Sequence, residues 1–361
     1  MDDVVLCFFF FMDFAKYSKV FTIVARKKNL SDKQITLLLN YAQKLNNKKL
    51  PIIYDIEHFS LLLGYNTDIL YSISNASFHF YRTFTVPKHN GKIRIINEPY
   101  PTLKEIQTWI LHNILETQSV SCFAKAYIPG KHLKENARFH KNQEIVMKFD
   151  VKSFFPSIPV FEVYKIFKNF GYTKKLSMLF AKICCLEDSL PQGAPTSPYI
   201  SNLFAKMLDK RIGTYCIKNQ LRYTRYSDDI TISGNISDEQ IGRIKGFVTL
   251  VLQDYGLTLN KEKTQVLRKS NRQIVTGIVV NEKLSAGTKK KKKIRQEMYY
   301  IKKYGLDSHI AYSKIEKQNY IYHLVGLINW VLSLENQNKE FLEYELYLRE
   351  IIKINDINKN S

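Results

Sequence analysis

Hydrophobic residues recur at three- and four-residue steps in two stretches near the start of the chain. In residues 30–45 (LSDKQITLLLNYAQKL) this period follows Ser31, whose side chain suits the N-cap of a helix. Residues 55–65 (DIEHFSLLLGY) have the same period and end at Gly64, a typical helix stop. We therefore predict a helical N-terminal segment over residues 1–75.

From residue 78 the period shortens to two, which indicates β-strand. Residues 78–99 (FHFYRTFTVPKHNGKIRIINEP) alternate and contain the turn sequence HNG, so they predict a β-hairpin with basic residues near its tip. The helical period returns over residues 102–115 (TLKEIQTWILHNIL). We predict one unit of hairpin and helix over residues 76–120.

The rest of the chain mixes the two periods. The predicted elements are, in order, a strand and turn over 144–158, helical residues 160–185, a Gly/Pro loop and helix over 190–212, a hairpin at 223–234, a helix near 237–255 and short strands near 264–268 and 274–281. We predict an α+β fold in which residues 121–284 hold the sheet and residues 285–361 form a basic helical segment.

The charge balance is strongly positive. Lys and Arg number 54 against 33 Asp and Glu, which gives a formal net charge of +21. Such a field favours a polyanionic partner, either nucleic acid or an acidic membrane surface. The alternative is a lysine-rich composition without a functional cause. Hydrophobic residues make up 45% of the chain, which is typical of a globular protein and not of a disordered one.

The cysteines and the apolar start of the chain bear on location. The five cysteines form no C-x-x-C pair, which predicts reduced thiols, no structural zinc and a cytoplasmic protein. The apolar run at 4–12 (VVLCFFFFM) is too short to span a bilayer. It follows Asp2 and Asp3 where a signal peptide would have basic residues. We predict no membrane partner.

Two adjacent aspartates, Asp228 and Asp229, stand in the middle of the predicted hairpin at 223–234 (YTRYSDDITISG). Consecutive strand side chains face opposite ways, so we expect one primary cation ligand at the turn and one supporting carboxylate beside it. Asp150, at the end of an apolar strand, is the candidate for a second primary ligand. Asp150 and Asp228 side by side would hold Mg²⁺, and two such ions roughly 3.5–4 Å apart would activate a 3′-hydroxyl and neutralise a leaving pyrophosphate. The alternative is that these are ordinary turn aspartates.

Three motifs in this region resemble the active-site motifs of reverse transcriptases and occur in the same order. They are FDVKSFFPSI (149–158), LPQGAPTSP (190–198) and YSDD (226–229). Two more, NAxxH at 136–140 and VTG at 275–277, resemble signatures of the bacterial retron reverse transcriptases. The resemblance covers roughly residues 50–335, most of the chain.

This resemblance implies an RNA-directed DNA polymerase with a right-hand arrangement of fingers, palm and small helical thumb, in which an antiparallel palm sheet is backed by helices. Asp150, Asp228 and Asp229 match the catalytic carboxylates that bind two Mg²⁺ ions, and the backbone of Val151 matches a further metal contact. Phe155 matches a steric gate, whose ring would collide with a ribose 2′-hydroxyl and so favour deoxynucleotides.

The resemblance also assigns residues to the incoming deoxynucleoside triphosphate. Gln192 and Gly193 match the nucleotide pocket. Arg94, together with Lys88 or Lys92, matches a clamp on the triphosphate, a task that suits the forked guanidinium of arginine.

Two further functions map beyond the YSDD motif. Lys261 or Lys263 could protonate the leaving pyrophosphate as general acid, and the family pattern favours Lys263. Val275, Thr276 and Gly277 match the primer grip.

The basic stretch 288–305 (TKKKKKIRQEMYYIKKYG) mixes Lys, Arg and Tyr at helical spacing. This pattern is typical either of a solvated helix or of a surface that follows nucleic acid. The resemblance favours RNA binding by this thumb segment, and it extends the same role to the NAxxH pair, which could share one helix face. The expected RNA-binding residues are Asn136, His140, Lys291, Lys292, Arg295 and Tyr299.

The resemblance finally implies the partners. In retron systems a structured noncoding RNA serves as template, a guanosine 2′-hydroxyl in that RNA primes synthesis, and the product is single-stranded msDNA joined to RNA. Such systems commonly act with an effector protein in defence against phage. The alternatives are another bacterial defence or group II-like reverse transcriptase, or a noncatalytic RNA-binding component of a toxin–antitoxin complex.

Overall fold

The structure is a computed structural model that describes residues 13–87, 91, 93–313 and 319–360. The apolar run at 4–12 and the hairpin lysines Lys88 and Lys92 lie outside the described residues.

The described chain forms helices around short antiparallel sheets, which confirms the predicted α+β class. The α-helices are α1 (Phe14–Lys27), α2 (Asp32–Asn47), α3 (Ile56–Leu63), α4 (Thr67–Asn75), α5 (Pro101–Ile110), α6 (Leu133–Phe139), α7 (Val160–Phe170), α8 (Lys174–Cys184), α9 (Ser197–Phe204), α10 (Lys206–Lys218), α11 (Asp238–Asp254), α12 (Thr288–Tyr304), α13 (Leu306–Tyr312), α14 (Tyr320–Leu334) and α15 (Lys339–Asn360). A 3₁₀ turn (Ser77–Phe80) and a π-helical turn (Leu111–Leu115) flank the first hairpin and α5. The strands are β1 (Tyr81–Pro87), β2 (Ile93–Pro99), β3 (Ile145–Val151), β4 (Arg222–Tyr226), β5 (Asp229–Gly234), β6 (Leu259–Arg268), β7 (Ile274–Val275) and β8 (Ile278–Val279).

The N-terminal helices begin and end where the sequence predicts. Ser31 caps α2 and forms a capping box with Gln34, so that two free backbone N–H groups gain partners. Gly64 ends α3 in the left-handed conformation with φ 72°, which a residue without a side chain adopts at low cost. Burial of Leu45 and Phe59 then ties both helices to the main core.

The central sheet has four antiparallel strands in the order β4-β5-β3-β6. β3 lies between β5 and β6 and is buried along almost its whole length, as its apolar sequence requires. The pairing of β3 with β6 shifts register between Lys148 and Asp150, which marks a β-bulge near the C-terminal end of β3. β6 begins at Leu259, so the predicted strand at 264–268 was too short.

Two hydrophobic cores can be distinguished. The larger one joins α2 to α5, α7 to α11 and the central sheet. The second joins α12, α14 and α15 to the β7–β8 hairpin, and Val146 of β3 connects it to the sheet. The predicted strand at 274–281 is instead this small hairpin, because Thr276 and Gly277 both have positive φ and reverse the chain. None of the described helices has the length and apolar character needed to cross a bilayer.

Candidate active site

The structure brings Asp150 and the two adjacent aspartates together at one end of the central sheet. Asp150 pairs with Asp229 across β3 and β5, and the N–H of Val151 donates to the carbonyl oxygen of Asp228 at 3.1 Å. Opposed residues of antiparallel strands have Cα atoms about 4.5–5.5 Å apart. The pairing of β3 with β5 therefore places the three acidic residues in one cluster, as the sequence predicts.

The turn between β4 and β5 is strained and is held from several sides. Ser227 has φ 60°, which is uncommon for a residue with a side chain. Arg225 donates to the carbonyl oxygen of Ser227 at 3.1 Å, and the Tyr127 hydroxyl donates to its Oγ at 3.1 Å. Strain of this kind costs about 1–3 kcal/mol and persists only where the surroundings enforce it.

A buried ion pair, which the sequence did not predict, supports this turn. The Arg225 guanidinium donates to both carboxylate oxygens of Asp209 on α10, each at 2.8 Å. The Tyr223 hydroxyl donates to the same carboxylate at 2.6 Å, and the Asn202 side chain accepts from Arg225 at 3.2 Å. The signal in the sequence was the arginine within the strand-like run YTRY (223–226), because an arginine that is buried in a sheet needs an internal counter-charge.

Strand β6 supplies two side chains to Asp150. Lys263 donates to Oδ1 at 2.7 Å and Asn260 donates to Oδ2 at 2.9 Å. The bulge between β3 and β6 brings both donors to the same carboxylate. Both lysines considered as general acid are exposed, and Lys263 is the one that donates to a carboxylate of the cluster.

The electrostatics of the cluster favour a bound cation. Burial, reinforced by the charge of Asp150, raises the pKa of Asp228 above its usual range. Burial and the charge of Asp228 raise the pKa of Asp229 to about 6, and Lys148 and Lys263 oppose this only in part. The hydrogen bond to Asp150 raises the pKa of Lys263.

The cluster is not closed into a metal cage. Over the whole described part of the chain, no group of three or more Asp, Glu, His or Cys side chains is placed to hold a metal ion. Both oxygens of Asp150 accept hydrogen bonds within the protein, one from Lys263 and one from Asn260. The donor types nevertheless fit Mg²⁺, which prefers carboxylate oxygens, and burial together with the charge of Asp228 raises the pKa of Asp229, a cost that a cation would relieve.

The residues expected around the nucleotide lie in the loop before α9 and on β2. The carbonyl of Gln192 accepts from the N–H of Asn97 on β2 at 2.7 Å, which joins the loop to the first hairpin. Gly193 has φ 127°, and a Cβ there would lie 2.5 Å from the Asn97 carbonyl oxygen. The glycine therefore permits a close approach of two backbones. Arg94 is exposed on β2.

Phe155 follows the cluster on the loop after β3. Its ring is partly buried and lies 6.2 Å from the ring of Tyr127, the residue that also bonds to Ser227. The fully enclosed aromatic of this loop is the neighbour, Phe154. Phe155 thus keeps part of its side chain accessible, and its assignment as a steric gate stays a prediction.

The NAxxH pair is buried, which does not fit the expected direct contact with RNA. His140 and Asn136 are 0% and 1% exposed. Ser233 and Thr224 lie 2.7 Å from the two ring nitrogens of His140, and Thr224 donates to Asn136 at 2.6 Å. Because the single Thr224 hydrogen goes to Asn136, His140 must donate through Nε2 and accept at Nδ1. Burial lowers the pKa of His140 to about 3, so the ring is neutral.

The VTG motif is part of the same assembly. Val275 is fully buried, and Asn136 donates to the Thr276 hydroxyl at 3.5 Å. Thr276 and Gly277 form the turn of the β7–β8 hairpin. The two signature motifs therefore connect α6, the central sheet and the second core.

Two of the expected RNA-binding residues of α12 are committed to internal ion pairs. Lys291 lies 3.0 Å from Glu335, and Arg295 binds Glu340 with two hydrogen bonds of 2.7 Å. These contacts fix α12 to the end of α14 and to the start of α15, and they correct the expectation that both side chains are free for phosphates. Lys292 and Tyr299 are exposed, as expected.

Comparison with known proteins gives consistent results. The family model described as reverse transcriptase (RNA-dependent DNA polymerase) matches residues 86–297, which include the whole carboxylate cluster. The chain is 30% identical to the retron Ec86 reverse transcriptase of Escherichia coli over 320 residues, which cover 88% of this chain and 96% of that protein. It is 29% identical to the retron Mx65 reverse transcriptase of Myxococcus xanthus over 356 residues, 92% of this chain and 79% of that protein. Among solved structures, telomerase from Candida albicans resembles the chain at a TM-score of 0.44 and 12% identity, over 75% of this chain and 56% of that one.

Proposed function

Because this chain belongs to the bacterial retron reverse transcriptases and is an RNA-directed DNA polymerase, we propose that it copies a structured noncoding RNA into single-stranded msDNA. Its α+β fold is the right-hand polymerase fold of that family, and in this proposal residues 121–284 act as palm and 285–361 as thumb. The observation that carries the proposal is the pairing of Asp150 with Asp229 beside the Ser227–Asp228 turn.

Nucleotidyl transfer requires cations at the carboxylate cluster. Asp150, Asp228 and the backbone of Val151 would hold two Mg²⁺ ions, with Asp229 in support. When bound, such ions activate the attacking hydroxyl and neutralise the charge of the leaving pyrophosphate. Lys263, which donates to Asp150 at 2.7 Å, would deliver a proton to the leaving group.

The neighbouring loops would select the substrate. Arg94, with Lys88, would bind the triphosphate of an incoming deoxynucleotide. Gln192 and Gly193 would line the base and sugar, and the partly exposed ring of Phe155 would exclude a 2′-hydroxyl. The primer end would rest on the turn at Thr276 and Gly277.

The RNA partner would lie along the exposed side of α12. Lys292 and Tyr299 face solvent there and suit phosphate and stacking contacts. In the full proposal, an RNA 2′-hydroxyl primes synthesis in the cytoplasm, and the RNA–DNA product acts with an effector protein in defence against phage.

The catalytic assignment is tested by primer extension on an RNA template with Mg²⁺. Replacing Asp228 with Asn removes a carboxylate from the cluster and should lower the rate by about a thousandfold or more, since metal-ion catalysis contributes several kcal/mol. Asp307→Asn, at an exposed site on α13, is the matched control and should keep full activity. Equal activity of Asp228→Asn and the wild type would contradict the assignment.

The retron assignment is tested by the nucleic acid that copurifies with the protein. We expect a short DNA joined to RNA through a 2′,5′ linkage, which debranching and sequencing would reveal. A linear DNA product, or a product without a fixed template, would favour another class of bacterial reverse transcriptase.

A further inference from the structure

A basic cleft lies at the end of the central sheet opposite the carboxylate cluster. Its volume is about 810 Å³, and it lies between the end of α6, the start of β4 and the loop that joins α14 to α15. Its basic lining residues are Lys134, Arg138, Lys141, Arg222 and Lys283. β3 runs from this end to Asp150, and its length of about 3.3 Å per residue places the cleft roughly 17 Å from the cluster.

The positive charge of this cleft is not compensated by the protein. The only carboxylate in its lining, Glu335, is bound by Lys291 at 3.0 Å and by Ser285 at 2.6 Å. Among the described residues, Arg138, Lys141 and Lys283 form no ion pair. After burial, the charge of Arg222 is the next cause of the lowered pKa of His140, which reflects the positive field at this end of the sheet.

The NAxxH motif explains how the basic side chains are presented. Asn136 and His140 are four residues apart and form the buried face of α6. Lys134 and Arg138 are also four residues apart and exposed, so they lie on another face of α6, and Lys141 follows in the turn after the helix. The buried pair thus fixes the direction in which the basic face points.

Two contacts keep the cleft in shape. Arg222 donates to the carbonyl oxygen of Phe139 at 2.9 Å, which anchors the end of α6 to β4. Lys134 donates to the carbonyl oxygen of Ser333 near the end of α14, which anchors α6 to the second core. Both walls of the cleft are therefore built from tied elements.

The other lining groups indicate what kind of anion fits. The cleft carries five side-chain amides, from Asn142, Gln143, Asn336, Gln337 and Asn338. Its two apolar residues, Leu284 and Leu334, are buried, so it has no exposed aromatic or apolar centre of the kind that protein interfaces use. Phosphate contacts from Arg and Lys, combined with amide contacts to hydroxyl groups, match the backbone of RNA.

We propose that this cleft binds the phosphate–ribose backbone of a folded RNA segment that is held apart from the segment being copied. The choice of RNA over other polyanions rests on the proposed function. The position of the site does not, because it follows from the cavity and its charges alone. A retained RNA segment would keep the template attached to the protein while the copied strand moves through the active site.

The test measures binding of a second RNA while the active site is filled. The full-length protein is saturated with an RNA template annealed to a DNA primer and then titrated with a fluorescent RNA hairpin. The variant carries Arg138→Gln, Lys141→Gln and Lys283→Gln. The matched control carries Lys174→Gln, Lys175→Gln and Lys210→Gln, which removes the same charge from exposed sites on α8 and α10.

We expect the cleft variant to bind the hairpin at least about tenfold more weakly at about 0.1 M salt, with a logarithmic salt slope smaller by about 2–3, because each lost phosphate contact contributes about 0.9. The control should bind as the wild type does. Primer extension by both variants on the preformed template–primer should stay within about twofold of wild type, since the cleft lies about 17 Å from the cluster.

Four results would overturn the proposal. Both triple variants could bind the RNA hairpin equally well, or the template–primer could displace the hairpin completely. A DNA hairpin, or polyglutamate, could also bind as tightly as the RNA hairpin and be weakened to the same extent by the cleft substitutions. If the cleft variant alone loses the hairpin while the wild type extends no primer, the cleft assignment stands and the proposed catalytic function fails.

Discussion

Two sets of buried charge lie at the β4–β5 hairpin, and they differ in how the charge is compensated. Arg225 of β4 and its partner Asp209 on α10 are 1% and 0% exposed, and every oxygen of the carboxylate is paired with a donor of this chain. At the turn of the hairpin, Asp228 and Asp229 are partly buried, yet within the described residues neither forms an ion pair. One set is neutralised within the protein, whereas the other lacks enough positive charge.

This difference shows where the protein depends on something it does not contain. Burying a charge without a partner is costly, so a carboxylate that serves structure alone is expected to be paired as Asp209 is. A raised pKa at the turn means that the metal-free fold holds these carboxylates at a cost in stability. The interior pair also carries the strained turn, because Arg225 binds the Ser227 carbonyl.

Asparagine substitutions at the two sites give the sharpest test of this comparison. Asp209→Asn leaves the buried Arg225 without its counter-charge and should lower the free energy of unfolding by about 3–5 kcal/mol. Asp229→Asn removes a carboxylate whose pKa is raised to about 6, and it should raise the metal-free stability at pH 7 by about 1–3 kcal/mol. Urea unfolding with excess chelator measures both.

The sign at Asp229 can be checked by pH. Its folded pKa lies above the value of about 4 in the unfolded chain, so the cost is present at pH 7 and disappears as the pH falls towards 4. The advantage of Asp229→Asn should shrink over that window. A destabilised Asp229→Asn variant, or an Asp209→Asn variant as stable as the wild type, would remove the distinction between the two sets.

The sequence predicted the parts of this site that local patterns encode. Helix caps such as Ser31 and Gly64 follow from periodicity and turn chemistry, whereas the meeting of Asp150 with the YSDD turn was implied by the resemblance to reverse transcriptases; both are found in the structure. Strand β6 was predicted too short because the charged run at 261–263 hides its first half, although that half supplies Lys263 to the cluster.

Other features depend on partners far away in the chain. The spacing of Asn136 and His140 indicates a shared helix face, but it does not say whether that face is inside or outside. Lys291 and Arg295 have the composition of a phosphate-binding helix, and only the fold reveals their acidic partners, more than 40 residues later. The interior set was missed for the same reason, since Asp209 and Arg225 lie on different elements.

The buried His140 is a second titratable group whose hydrogen-bonding partners all come from the protein, so it can be compared with the carboxylates of the turn. Its pKa is lowered to about 3, so the unfolded chain takes up a proton below about pH 6.5 while the folded chain does not. This contribution to stability is complete above pH 6.5 and decreases as the pH falls towards 3. We expect a loss of about 2 kcal/mol between pH 7 and pH 5.

His140→Gln keeps an amide donor and acceptor but has no proton to titrate. The difference in unfolding free energy between wild type and this variant, followed by urea unfolding across pH 5 to 7 as in the window above, should therefore change by about that amount. A difference in unfolding free energy that stays constant with pH would mean that the fold does not hold His140 neutral.

The smallest expected effect is on Mg²⁺ binding, and it comes from the ion pair between Lys263 and Asp150. Lys263 binds Asp150 at 2.7 Å, where it competes with any metal for Oδ1, but its side chain is 56% exposed, so the contact contributes less than about 1 kcal/mol. Lys263→Gln should therefore lower the Mg²⁺ concentration that half-stabilises the nucleotide-free protein by only about two- to fivefold, as measured by the shift in melting temperature.

The Lys263→Gln variant should also extend primers more slowly, since it lacks the proposed proton donor. Lys261→Gln, at the exposed neighbour, should change neither quantity. If Lys263→Gln instead weakens Mg²⁺ binding, the lysine helps to assemble the cluster and does not occupy the place of a cation. The difference between the paired Asp209 and the unpaired carboxylates of the turn would then not be explained by a missing metal ion.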